Sequence, residues 1–166
     1  MLSIFKGTKS LAAAAVIVAF TATGCGIIPT QADSVITSVN VSDSKLAIKG
    51  YDPVAYFTES KAVQGVSAHT AQYQGATYLF SSASNKAMFE GNPAKYAPQY
   101  GGYCAFGVSK EKKFDIDPEA FAVVDGKLYL NLNKKVQSRW VLNTEELISD
   151  ANEYWAVIAD TPAESL

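Results

Sequence analysis

The sequence predicts a small α+β domain, and three observations carry that reading: two aromatic and β-branched segments with hairpin spacing, an amphipathic stretch near the C-terminus, and a length suited to one domain. The first hairpin falls in 71–80, where Tyr73 and Thr77-Tyr78-Leu79-Phe80 flank Gly75. The second joins 121–124 to 127–130 through Asp125-Gly126, a pair that accepts positive φ at both turn residues. Between them 84–90 reads as a short helix, capped by Ser84, with Met88 and Phe89 as its apolar side and Gly91 as a left-handed closing residue. Pro93 and Pro98 keep the following stretch irregular. A last helix fits 143–159, with Asn143 as cap, Glu146 at the third position, and Leu147, Ile148, Ala151, Tyr154, Trp155 and Ile158 along one stripe. No internal repeat is apparent.

The N-terminus has the order of an export signal: Lys6 and Lys9, an apolar run from Leu11 to Phe20, then Thr21-Ala22-Thr23-Gly24-Cys25. A run of this length is too short to span a bilayer, which takes about 20 apolar residues. The small residues before Cys25 resemble the bacterial lipobox. That resemblance implies cleavage after residue 24 and acylation of the Cys25 sulfur, so that Cys25 anchors the protein to a membrane. Gly26 at the following position implies the outer membrane, facing the periplasm, in a Gram-negative cell. Residues 25–45, rich in Ser, Thr, Asn and Gln, read as a lipid-anchored tether, and 46–160 as the folded domain.

The chain carries 14 basic and 16 acidic residues, and loss of the two signal lysines leaves a net charge of about −4, which argues against a nucleic-acid partner. Two cysteines are present, Cys25 and Cys104. With Cys25 committed to lipid, Cys104 is a lone thiol in an oxidising compartment, either buried and inert or kept for metal or redox chemistry. Its segment, Tyr100-Gly101-Gly102-Tyr103-Cys104-Ala105-Phe106, could line a pocket with Tyr100, Tyr103 and Phe106 around a glycine pair that allows close approach. The same glycines could equally shape a turn over a core cysteine. His69, the single histidine, is a candidate ligand or proton carrier for Cys104, or a surface residue. Lys110, Lys112 and Lys113 read as a solvated loop, and Asp52-Pro53 and Asp117-Pro118 as turn starters. No catalytic triad order, phosphate loop or paired catalytic carboxylates appear, so no catalytic residue is assigned and a non-enzymatic role is favoured.

Three ordered blocks, Gly50-Tyr51-Asp52-Pro53-Val54-Ala55-Tyr56-Phe57, the 73–80 hairpin and Tyr100-Gly101-Gly102-Tyr103-Cys104-Ala105, resemble the small exported YHS-domain proteins over roughly 46–158. In some similar members, the resemblance implies, a selenocysteine replaces this kind of cysteine. Metal-associated YHS domains place cysteines at positions that fall here on Ala55, Ser81 and Asn85, none of which supplies a thiolate. The expectation is a membrane-tethered binding module of the cell envelope, holding a metal ion such as copper, or a small ligand, near Cys104. The alternatives are a single-thiol redox protein and a scaffold for an envelope protein.

Overall fold

Two hairpins, each closed by a two-residue turn at positive φ, organise the chain. The computed structural model describes residues 38–166; Cys25, the export signal and the tether before residue 38 lie outside the described residues. Strands β1 (Val66–Tyr73) and β2 (Ala76–Phe80) pair antiparallel, with Tyr73 opposite Ala76. Gln74 and Gly75 turn them at φ 49° and 79°. Strands β3 (Asp117–Val124) and β4 (Lys127–Asn131) repeat the arrangement, with Asp125 and Gly126 at 49° and 70°. Paired positive φ values match the right-handed twist of the flanking strands, which is why Asp-Gly signalled the turn so clearly. A register irregularity bends both hairpins, between Val66 and Thr70 and between Asp117 and Phe121.

Short helices fill the spaces around the hairpins: α1 (Ala55–Thr58), α2 (Ala83–Gly91), α3 (Pro93–Tyr96), α4 (Ala105–Val108), α5 (Lys134–Trp140) and the long α6 (Thr144–Ile158). One apolar cluster gathers Tyr56, Tyr78, Phe80, Phe89 and Leu128. A second gathers Tyr100, Tyr129, Trp140, Leu147 and Ile158, so that α6 is fixed by Leu147, Ala151 and Ile158. Of the stripe expected on α6, Tyr154 is exposed and Ile148 and Trp155 are half-buried.

Several local expectations are corrected. The cap of α2 is Ser82, whose Oγ accepts from Asn85 N at 3.1 Å, and Ser84 is exposed. β2 ends at Phe80, so the chain turns into the helix two residues early. Gly91 remains helical; Asn92 (φ −158°, ψ 76°) follows, outside the helical region that a following proline disfavours, and caps α3 through Lys95 N. Met88 is exposed, leaving Phe89 as the buried residue of α2. Asn143 makes no capping bond, because α5 runs into α6 through a 3-10 turn (Val141–Asn143); its amide donates to the Glu146 carboxylate instead. Packing also begins before Leu46. Val39 is 2% exposed, and Asn40 donates its backbone N–H to Gly101 O (2.9 Å) and its side chain to Gly102 O (3.2 Å).

The structure also contains a repeat that the sequence hides. Ile48-Lys49-Gly50 run at φ 49°, 53° and 83°, and Tyr100-Gly101-Gly102 at 54°, 59° and 81°. Each run leads through an extended tyrosine, Tyr51 or Tyr103, to a buried polar residue, Asp52 or Cys104, whose side chain accepts from the backbone N–H three residues on, Ala55 or Gly107, at a one-turn helix. A hairpin with a positive-φ turn follows in both. A capped helix closes each unit, its cap side chain accepting from the third residue on: Ser82 from Asn85 N, Asn133 from Val136 N.

Candidate functional site

Cys104 is the residue on which the sequence concentrates attention, and the structure encloses it. Its side chain is 1% exposed, and its backbone N–H donates to Phe114 O at 3.0 Å. The sulfur accepts from Leu132 N at 3.2 Å and Gly107 N at 3.4 Å, and its thiol faces Asn131 Oδ1 at 3.9 Å. Burial pushes the thiol pKa up, against an opposing pull from the N–H groups of Gly107, Leu132 and Phe106. The neutral thiol is therefore the favoured form, which opposes both nucleophilic and metal-binding roles for this sulfur.

The repeat explains the arrangement. Asp52 occupies the corresponding place in the first unit, fully buried. Its Oδ1 accepts from Val54 N (2.9 Å) and Ala55 N (3.4 Å), and its Oδ2 from Ser81 N (2.8 Å), Ser81 Oγ (2.7 Å) and Asn85 Nδ2 (2.7 Å). Ala55 N and Ser81 N are the counterparts of Gly107 N and Leu132 N: one lies three residues after the cap, the other just beyond the second strand. A single backbone cradle thus holds a carboxylate in one unit and a thiol in the other. Ala55, Ser81 and Asn85, the positions onto which the resemblance lays cysteines, all bond to Asp52. A closed hydrogen-bond cluster stands where thiolates would.

The other predicted residues separate. His69 lies half-buried on β1, in the first hairpin, and is not among the polar partners of the Cys104 sulfur. Asp115 pairs with Lys49 at 2.8 Å and accepts from Asn40 at 3.3 Å; burial raises its pKa, but these contacts and the Ile116 N–H outweigh it and bring the carboxyl below its ordinary value. Asp117 accepts from Glu119 N. Among the described residues, no three His, Cys, Asp or Glu side chains gather as a metal site requires.

Lys113 departs from the solvated-loop expectation. It is 5% exposed, its Nζ donates to Ala159 O (2.7 Å) and Thr161 O (2.6 Å), and it lies over the rings of Tyr103 and Trp155 at 5.1 and 5.3 Å. It secures the carbonyls at the end of α6, where a cation is favoured. Burial pushes its pKa down, with Asp160 opposing. Lys110 and Lys112 are exposed, as expected of a loop.

Gly101 and Gly102 have unequal reasons to be glycine. A Cβ on Gly101 would lie 1.9 Å from Ser38 O, so the close approach that the glycine pair permits is to the chain's own segment 38–40. Gly102 is buried at φ 81°. Tyr103 packs on Trp155 with ring centroids 6.2 Å apart, and Phe106 is half-buried between the two apolar clusters.

Tyr100 and Gly101 instead open onto a cleft of about 200 Å³ beside Tyr73, Gln74, Gln99 and Trp155, with Ala94, Ala97 and Pro98 completing the wall. The cleft lies where the first hairpin turn, the link between the two units and α6 meet. Gln74 and Tyr100, both non-glycine residues at positive φ, are part of its wall. Backbone held in this region costs about 1–3 kcal/mol per residue and persists where surrounding structure fixes it. Tyr100 is fixed by its hydroxyl, which donates to Asn152 Oδ1 at 3.0 Å, and by Tyr129 and Trp155 at 5.9 and 6.0 Å. Burial raises its phenol pKa and keeps it neutral. The sequence pointed to Tyr100 and Gly101 but missed Tyr73, Gln74, Gln99 and Trp155, since only the fold joins these segments.

Comparison with known proteins adds one finding. The family model described as the YHS domain matches residues 54–100, which span the first unit from Val54 and end at the cleft. No curated protein and no solved structure matches the chain. A YHS domain suggests a metal-associated role. Over residues 54–100 the chain is similar to the YHS-domain family.

Proposed function

We propose that the protein is a non-enzymatic binding module, tethered to the cell envelope through lipid on Cys25, whose ligand occupies the cleft between the two units and not the Cys104 sulfur. The observation that carries this reading is the division of the predicted pocket: Tyr100 and Gly101 line an open cleft with Trp155, while Cys104 is 1% exposed and hydrogen-bonded within the cradle. A concave cleft with convergent polar side chains is a usual place for a small ligand. A metal-associated role here would place a copper ion on one buried sulfur with a carboxamide beside it, and soft ions bind through several thiolate, thioether or imidazole ligands.

Backbone amide shifts, followed while the purified protein is titrated first with a neutral and charged fragment set and then with Cu(I), test the binding site. Fragments are expected to move Tyr73, Gln99 and Trp155, while Cu(I) leaves Cys104, Gly107 and Leu132 in place. Stoichiometric Cu(I) binding that shifts those three residues and disappears in Cys104→Ser would overturn the reading. For the tether, labelled palmitate is expected on the wild-type chain and not on Cys25→Ala; equal labelling of both would refute anchoring at Cys25.

A further inference from the structure

We infer that the cleft takes an uncharged saccharide ring; this rests on the reading of the cleft as the ligand site. None of its nine lining residues is Asp, Glu, Lys, Arg or His. A charged ligand entering it would lose hydration with no countercharge in the wall, so the site selects for neutrality. Its lining residues include Gln74, Gln99 and Tyr73, whose side chains are polar, while the Tyr100 hydroxyl is already engaged by Asn152. A carboxamide both donates and accepts, and so does a phenol, which suits ligand hydroxyls, since each of these also does both.

Two of these groups have capacity to spare. Gln74 Nε2 makes a long contact to Tyr73 Oη at 3.4 Å, and Gln99, half-buried, has no side-chain hydrogen bond among the described residues. The exposed wall of the cleft is predominantly polar, which suits a hydroxyl-bearing ring over an apolar guest. At about 200 Å³ the cleft is below the range of drug-sized pockets and suits a single ring. A proline-rich peptide, the other common guest of aromatic surfaces, binds along an extended groove, and this cleft is one compact pocket.

The test is an amide-shift and calorimetric titration of the purified protein with N-acetylglucosamine and glucose, against glucuronic acid and an oligoproline peptide. The neutral sugars are expected to give saturable shifts at Tyr73, Gln99 and Trp155. Gln99→Ala and Tyr73→Ala are each expected to raise Kd by about tenfold, with circular dichroism unchanged. Glucuronic acid is expected to bind more weakly. Equal or tighter binding of glucuronic acid, or binding of oligoproline in place of the sugars, would overturn the saccharide assignment. If sugars produce no shifts but other fragments still move the cleft amides, the saccharide assignment fails and the cleft stands. If nothing moves them, both fail.

Discussion

Asp52→Ala is expected to lower the unfolding free energy by about 4 kcal/mol. The carboxylate is fully buried and accepts from two backbone N–H groups at the start of α1 and from three donors on Ser81 and Asn85. Truncation to alanine leaves those donors facing a small void, and each unsatisfied buried donor costs about 1–3 kcal/mol, reduced where water can enter. Because the cluster ties the entry to α1 to the end of β2, its loss also loosens the first unit. Asp52→Asn is expected to cost less. The Ser81 hydroxyl and the Asn85 carboxamide can turn to accept, leaving only Ser81 N opposed by a donor. Urea denaturation of the three proteins checks the order; equal midpoints for wild type and Asp52→Ala would show that the cluster contributes nothing.

Gly101→Ala is expected to cost about 3 kcal/mol, for two reasons that add. At φ 59° an L-residue sits in the left-handed region, at about 1–2 kcal/mol. The new methyl would also lie 1.9 Å from Ser38 O, so segment 38–40 must lift. Lifting it exposes Val39 and breaks the Asn40 bonds to Gly101 and Gly102. Proteolysis gives a second readout, with cleavage near Ser38 expected to accelerate in the variant. Gly126→Ala is the comparison, since its φ is 70° with open space around the added methyl; it should cost only the backbone term. Equal losses for the two would mean that segment 38–40 does not dock on Gly101.

How much of this was legible depended on whether the signal was local. The Asp125-Gly126 hairpin and the α6 stripe were readable, because a turn's φ requirement and a helix's period are written in adjacent residues. The repeat was not. Its two units share a backbone path and a cradle of N–H groups, but different residues occupy equivalent places: Ile48 and Lys49 against Tyr100 and Gly101, Asp52 against Cys104, Ser82 against Asn133. Non-glycine residues at Ile48, Lys49 and Tyr100 erase the glycine signature that would mark three successive positive φ values. The one-turn helices α1, α3 and α4 are too short to show a period, and α5 carries no stripe of its own.

The site was half-legible for a related reason. Aromatic and glycine content drew attention to 100–106, which does reach the cleft through Tyr100 and Gly101, but the same composition suggested that Cys104 shares it. Cys104 caps α4 and points into the core, whereas Tyr100 points to α6. That difference arises from the three-residue left-handed run between them. Lys113 was misread because a lysine in a charged stretch ordinarily faces water; the carbonyls at the end of α6 and the Tyr103 and Trp155 rings, which hold it, come from distant sequence.

The account rests on Cys104 being a buried cap, the counterpart of Asp52, and not a working thiol. Its alkylation rate by iodoacetamide, followed by peptide mass mapping in native and guanidine-unfolded protein, tests this most directly. The native protein is expected to react far more slowly than the unfolded chain from pH 7 to pH 9, with no step in rate near the ordinary thiol pKa of 9.0. Native Cys104 reacting as fast as the unfolded chain would contradict the account and return the chemistry to the sulfur.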